Sequence, residues 1–474
     1  MQLVLPSYIL NLLNRFKEKE FEIYLVGGAV RDLLMGRQVT DWDFTTNATP
    51  DQILELFPDA FYDNKFGTVG LPADSAFVAT SAKEAGLTKV GIPVTEKQVM
   101  EITTFRREET YSDRRHPDKV VWGENLEEDL SRRDFTINAF ALSMVEGMAT
   151  TIIDPYHGQE DLKQKIIRAV GDPQKRFSED ALRMLRAIRI ASELGFVIEE
   201  QTFEAIKTNT PLLAHISEER IRDELFKLLA SPFPYEGFVM LKNGGLLEKI
   251  LPEVEHAFGV PQKSPKRHHV VDVGTHLFYS LRYCPSHDPL VRFATLLHDI
   301  GKPQTFRQNP EGLITFYNHE VVGASIARNI TRRLRFSKKQ EEKLTILVRW
   351  HQFTVDERQT DSAIRRFIRN VGKANLKDIL DLRVGDRLGG GATETSWRLE
   401  GFKKRLVEVQ KEPFSVADLK IDGNDVMKEL KIPSGPLVGQ ILNTLFQEVE
   451  EGKLKNTRED LLERVKVISK ELTS

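Results

Sequence analysis

One cysteine, Cys284, in 474 residues excludes an intrachain disulfide and any cysteine-rich zinc module. Any protein-bound metal is therefore expected on histidines and carboxylates, and the composition fits a reducing cytoplasm. No uninterrupted apolar run is long enough to span a bilayer, so no membrane partner is expected. The N-terminal stretch lacks a basic leader with a small-residue cleavage site, and export is not expected. Charge of one sign is missing too: 67 Lys and Arg stand against 70 Asp and Glu, a net charge of -3. A polyanionic partner would thus have to meet a local basic surface. Internal repeats and low-complexity tracts are also absent.

What is present is enough chain for two to four domains. FEIYLVGG reads as an apolar strand entering a glycine turn, AVRDLLMG as a short helix ended by Gly36, and DWDFTT as a second strand. Stretches near 66–71, 76–80, 90–94 and 99–105 read as further strands of a small mixed sheet. Beyond 175 the spacing turns helical, through 178–194, 215–230 and 235–250, and PQKSPKRHH at 261–269 reads as a linker. The expected fold class is α+β, with a small mixed-sheet head followed by helical segments.

Asp41 and Asp43, one residue apart on an expected strand, would project from one face and share divalent ions. Hard cations held by carboxylates suit nucleotidyl transfer, because they activate an attacking hydroxyl and offset charge on departing pyrophosphate. Glu101, in MEITTF, becomes a third ligand if its strand neighbours the first. Gly27-Gly28 just upstream opens a helix whose free amides can hold a triphosphate. A bare DxD or GG would be an edge-strand pair or a turn; the two in this order are specific.

Four stretches in order, LVGGAVRDLLMGRQVTDWDFTT, SRRDFTINAFAL, DPYHGQEDL and EDALRMLRAIRIASELGF, resemble the successive motifs of the class II tRNA nucleotidyltransferase and poly(A) polymerase family. The resemblance implies a nucleotidyltransferase head over 1–172 and a helical neck and body over 173–260. It implies Mg²⁺ on Asp41 and Asp43, and triphosphate contacts from Gly27, Gly28 and Arg31. Arg132, Arg133, Asp134 and Asn138 would handle ribose and phosphate, and Asp180, Arg183 and Arg186 would complete the nucleotide site. Asp180 and Arg183, three apart on one expected helix, can be read physically. A carboxylate acceptor beside a guanidinium donor matches the edge of cytosine or adenine and mismatches guanine or uracil. The competing reading is an ordinary i, i+3 surface ion pair.

YSDRRHP at 111–117 is similar to the flexible-loop region of CCA-adding family members, while the stretch 71–98 is longer than expected there. The expected activity is Mg²⁺-dependent addition of C, C and A to tRNA 3′ ends from CTP and ATP. An A-adding enzyme, a poly(A) polymerase and a non-enzymatic RNA-binding scaffold are the alternatives. Over 261–392, His276, His298-Asp299 and Asp386 resemble the ligand pattern of HD metal-dependent phosphohydrolases. That implies a transition metal or Mg²⁺, with His319 and His351 as further ligands of a binuclear centre. The implied substrate is a phosphomonoester or 2′,3′-cyclic phosphate. TRRLRF at 331–336 and AIRRFIRN at 363–370 offer arginines to a phosphate backbone or simply to solvent. The tail, 393–474, resembles the tRNA-contacting segment of longer CCA-adding enzymes.

Overall fold

The computed structural model describes residues 5–62, 67–72, 99–109, 119–122, 125–145, 148–262, 271–410, 416–451 and 453–473. The expected strands at 76–80 and 90–94, the loop 111–117 and most of the 261–269 linker lie outside the described residues. The chain divides into two compact units, Met1–Glu255 and His256–Ser474.

The first unit is built on a mixed sheet that has seven strands among the described residues. In chain order these are β1 (Ile23–Val26), β2 (Asp43–Thr46), β3 (Phe61–Tyr62), β4 (Thr68–Pro72), β5 (Val99–Thr104), β6 (Ala141–Val145) and β7 (Met148–Ile153). Their spatial order is β3-β4-β5-β2-β1-β6-β7, with β2 and β5 parallel and the other neighbours antiparallel. Strands β3, β6 and β7 are not among those expected from the sequence; the residues of β6 and β7 fall inside and just after the second motif. Helix α1 (Ser7–Lys17) buries Ile9, Leu12, Leu13 and Phe16 at helical spacing in the same core as Phe44, Val69 and Ile102. Each such side chain, fully removed from water, contributes about 1.5–3 kcal/mol. The turn between β1 and β2 carries α2 (Gly28–Leu34).

Two expected helices are each broken in two. The stretch 178–194 is not one helix: α3 (Pro173–Glu179) stops at Asp180, whose backbone is extended, and α4 (Leu182–Leu194) starts after it. The reason is local, since the Asp180 carboxylate accepts the free amide of Leu182 at 3.0 Å and so favours a new helix start. Likewise 235–250 divides at Gly244-Gly245, Gly245 having φ +74. Helix α5 (Glu218–Ala230) corresponds to the third expected helix.

In the second unit, α6 (Val273–Arg282), α9 (Lys338–Trp350) and α10 (Leu376–Gly389) pack around α7 (Pro289–Leu297), which is buried from Leu290 to Leu297, and α8 (His319–Arg333) packs on α9. Residues 416–473 carry a separate small core of Ile441, Leu445, Leu461 and Val465. The arginines expected as a surface stripe are divided. Arg332 pairs with Glu341 at 2.9 Å, and Arg365 is buried.

Candidate functional site

Val26 of β1 pairs in register with Asp43, and Asp43 in turn with Glu101 of β5. Asp43 and Glu101 therefore leave the sheet on one face, with the glycine turn beside them. Asp41 lies two residues before β2 begins, exposed, yet close enough to act electrostatically on Asp43. Burial pushes the Asp43 carboxyl up, Arg133 and Arg186 pull it down, and the Asp41 charge raises it again. A cation between these acids would relieve that repulsion, and an all-oxygen donor set suits Mg²⁺.

Gly27 holds φ +71, and a Cβ there would lie 3.0 Å from Arg133 Nη1 and 3.4 Å from Asp43 Oδ2. Only glycine leaves that corner open. Gly28 starts α2, and Arg31, one turn on, donates to Asn138 Oδ1 at 2.9 Å and pairs with Asp32 at 3.0 Å. Asn138 Nδ2 donates to Asp134 Oδ1 at 3.3 Å, and Arg186 Nη2 meets Asp134 Oδ2 at 2.7 Å. Burial opposes charge on Asp134, but Arg186 outweighs it and holds its pKa down at about 2. The structure thus brings together Gly27, Arg31, Asp43, Arg133, Asp134, Asn138 and Arg186.

Several residues that organise this corner were not anticipated. Asp129, wholly buried on the short helix Leu126–Ser131, meets Arg133 Nη2 at 3.1 Å and also Arg132. Burial works against its charge, and Arg132 and Arg133 together lower its pKa. The signal was available as Asp129 three and four residues ahead of two arginines. Arg133 Nε is buried and has no hydrogen-bond partner among the described residues, a donor suited to an anion.

Asp180 and Arg183 are not side by side on one helix. Arg220 of α5 meets Asp180 Oδ2 at 2.7 Å, a partner 40 residues away that no local spacing announces. Arg183 instead donates to Glu179 at 2.8 Å and to the Arg132 carbonyl at 3.1 Å.

A second cluster lies in the other unit, around Asp299. His276 and His298 approach its Oδ2 at 3.4 and 3.3 Å, while His319 and His351 approach Oδ1 at 3.2 and 3.4 Å. Asp386 Oδ1 stands 3.3 Å from His276 and 3.5 Å from His298. His298, His319 and His351 each direct Nδ1 to a carbonyl three residues back, at 2.7, 2.8 and 2.7 Å, which turns every Nε2 toward Asp299. Gly301 permits this convergence, because a Cβ there would sit 2.1 Å from the His319 carbonyl oxygen. Burial disfavours charge on His298, but Asp299 and Asp386 outweigh it and push its pKa up to about 10. Two overlapping donor triads, His276-His298-Asp299 and Asp299-His319-His351, fit a pair of metal ions that share one carboxylate.

Comparison with known proteins resolves the family. Residues 23–168 match the model of the poly A polymerase head domain, and 195–258 that of a probable RNA and SrmB-binding site of polymerase A. Residues 314–465 match a putative tRNA nucleotidyltransferase domain 2. The CCA-adding enzyme of Geobacillus stearothermophilus is 31% identical over 453 residues, covering 95% of this chain and 94% of that one.

The chain belongs to the CCA-adding enzyme family.

The enzyme of Geobacillus kaustophilus is 43% identical over 238 residues, and this alignment spans only about half of each protein, 50% and 52%. The crystal structure of the Bacillus stearothermophilus CCA-adding enzyme in complex with CTP superposes with a TM-score of 0.69 at 26% identity, covering 99% of both chains. The Thermotoga maritima CCA-adding enzyme complexed with tRNA shares the fold, with a TM-score of 0.59 at 20% identity. Membership in a nucleotidyltransferase family implies a divalent metal. No helix among the described residues is long and apolar enough to cross a membrane.

Proposed function

We propose that this chain adds C, C and A to the 3′ ends of tRNA from CTP and ATP, without a nucleic-acid template, in the cytoplasm. What carries the reading is the convergence of Asp43, Glu101, Gly27 and Arg133 on one sheet corner, in a chain related along nearly its whole length to CCA-adding enzymes. Asp41 and Asp43 would hold Mg²⁺, with Glu101 adjoining. When bound, the metal lowers the barrier to attack of the terminal 3′ hydroxyl and stabilises charge on the leaving group. The 3′ oxygen forms a P–O bond to the α-phosphorus as its proton passes to solvent, the bond from the α-phosphorus to the α–β bridging oxygen breaks, and pyrophosphate leaves.

Gly27, Gly28, Arg31 and Arg133 hold the triphosphate, Arg133 Nε, without a partner among the described residues, being one ready donor. Arg132, Asp134, Asn138 and Arg186 fix the ribose side. Asp180 and Arg183 select the base, although from the ends of two helices rather than along one. Asp180 Oδ2 keeps a lone pair beyond its bond to Arg220, and Arg183 keeps N–H groups beyond those given to Glu179, Arg176 and Arg132. Residues 1–172 form the catalytic head, 173–260 the neck and body, and 393–474 the tRNA-contacting tail.

Purified protein should be incubated with transcripts ending before CCA, after C and after CC, with each nucleoside triphosphate and Mg²⁺. Stepwise completion of all three supports the reading. Addition of A to the CC-ended transcript alone indicates an A-adding enzyme, long heterogeneous tails a poly(A) polymerase, and no incorporation an RNA-binding scaffold.

The donor set around Asp299 favours a second activity in residues 261–392. His276, His298, His319, His351, Asp299 and Asp386 would hold two divalent ions for hydrolysis of a phosphomonoester or 2′,3′-cyclic phosphate. Arg383 holds Asp386 Oδ2 at 3.1 Å and so orients the ligand. Asp299→Ala should remove hydrolysis and spare nucleotide addition; simultaneous loss of both would count against two independent sites.

A further inference from the structure

We infer that Arg220 is a positioning residue for base selection: by gripping the Asp180 carboxylate from α5 it turns a movable acceptor into a fixed one, and so into a barrier against uracil and guanine. The inference rests on the reading above in which Asp180 and Arg183 select the base, and goes beyond it to the group that enforces the selection.

Both oxygens of Asp180 are held. Oδ1 accepts the Leu182 amide at 3.0 Å, and Oδ2 accepts Arg220 Nη2 at 2.7 Å, with Arg220 Nη1 a further 3.4 Å from Oδ1. The first bond is local and leaves the carboxylate free to pivot about Oδ1. The second comes from 40 residues away and stops that pivot. Arg183 does not share the task, since its nitrogens go to Glu179 and to the Arg176 and Arg132 carbonyls. Among the described residues Arg220 is thus the cation in direct contact with Asp180, and at side-chain exposures of 26% and 18% the pair is shielded enough for its geometry to persist.

Arg220 stands on a helix that is itself anchored. One turn further along the same face of α5, Glu224 is buried and meets Arg189 Nε of α4 at 2.6 Å. Arg189 also pairs with Glu193 at 2.8 Å. A cation of α5 on the residue that leads into α4, and an anion of α5 on α4 itself, fix how the two helices meet and therefore where the Arg220 fork lies.

A fixed carboxylate does two things. It accepts from the exocyclic amino group of cytosine or adenine, and it sets negative charge against the carbonyl oxygen that uracil or guanine puts in the same place. The rejection needs rigidity. A carboxylate able to swing aside, or to admit a bridging water, no longer meets the carbonyl directly and forgives the wrong base.

The test uses the full-length protein with Mg²⁺ and measures kcat and KM for single additions: CTP against UTP on a transcript ending before CCA, and ATP against GTP on one ending in CC. Wild type, Arg220→Gln, Arg220→Lys, Asp180→Asn and the double variant Arg220→Gln/Asp180→Asn are compared, each with its Tm and tRNA affinity. Arg220→Gln should lower the ratio of kcat/KM for right over wrong nucleotide by about tenfold or more, with tRNA affinity unchanged. Arg220→Lys, which keeps the charge but loses the two-nitrogen fork, should lower it by about threefold, and decides the matter if the glutamine variant is unstable. The double variant should discriminate no worse than Asp180→Asn alone, because Arg220 acts through Asp180. If Asp180→Asn lowers the ratios while both Arg220 variants leave them at the wild-type value, or slow all four nucleotides equally, or add their full effect to that of Asp180→Asn, this inference alone is overturned. No incorporation by the wild type, or unchanged ratios in Asp180→Asn, removes the base-selection reading and this inference with it.

Discussion

Asp43 and Glu101 face each other in register across the parallel strands β2 and β5, although 58 positions separate them in sequence. A pair so placed acts jointly on whatever cation the corner holds. Glu101→Gln should therefore slow nucleotide addition by about ten- to a hundredfold, with the largest effect at low Mg²⁺. The check is the Mg²⁺ dependence of the addition rate, and an unchanged rate and midpoint would remove Glu101 from the site.

Gly27→Ala places a methyl 3.0 Å from Arg133 Nη1, in a backbone conformation (φ 71, ψ -142) kept almost wholly to glycine that costs an L-residue about 1–3 kcal/mol. The expected result is a KM for nucleoside triphosphate raised about tenfold or more, from a displaced Arg133, with a modest fall in Tm. Steady-state kinetics beside a thermal melt would check it. A lowered Tm with unchanged KM would mean the glycine serves the turn alone.

Asp129 is buried beneath Arg132 and Arg133. Its removal strands two guanidinium groups, and Asp129→Ala should cost about 3 kcal/mol or more in denaturant unfolding. Nucleotide affinity should fall with it, since Arg133 loses its anchor. A loss below about 0.5 kcal/mol would show that the arginines find other partners.

The Asp134–Arg186 pair makes stability depend on acid. Because the folded-state pKa of Asp134 is held at about 2, below its ordinary 3.8, the pair stabilises the fold above the unfolded value. That contribution, about 2 kcal/mol, is lost as pH falls from about 5 toward 2. Unfolding free energies of wild type and Asp134→Asn across this range should converge at the acid end. Parallel curves would contradict the assignment.

How much of this was legible beforehand depended on the range of the interactions. The glycine turn, the Asp41-Asp43 spacing and the helix after it are set by neighbours, and β1, α2 and β2 follow the sequence pattern. The break at Asp180 was missed because apolar periodicity runs through it, while a single carboxylate capping the Leu182 amide restarts the helix. Glu101 was named as a neighbour only on condition that its strand lay beside β2, a condition met by tertiary pairing alone. Arg220 could not be anticipated, since α5 brings it to Asp180 across 40 residues. In the second unit the histidines were legible as ordered motifs. Their common focus on the two oxygens of Asp299 depends on the packing of α6, α7, α8, α9 and α10.

The central claim is that Asp41 and Asp43 seat the metal for nucleotidyl transfer. It is tested most directly by single-turnover addition of AMP to a CC-ended tRNA transcript with Asp43→Ala, alongside tRNA binding and a thermal melt. The account predicts a rate lowered by about a thousandfold or more, with tRNA affinity and Tm close to wild type. A variant that stays folded, binds tRNA and still adds AMP within about tenfold of the wild-type rate would contradict it.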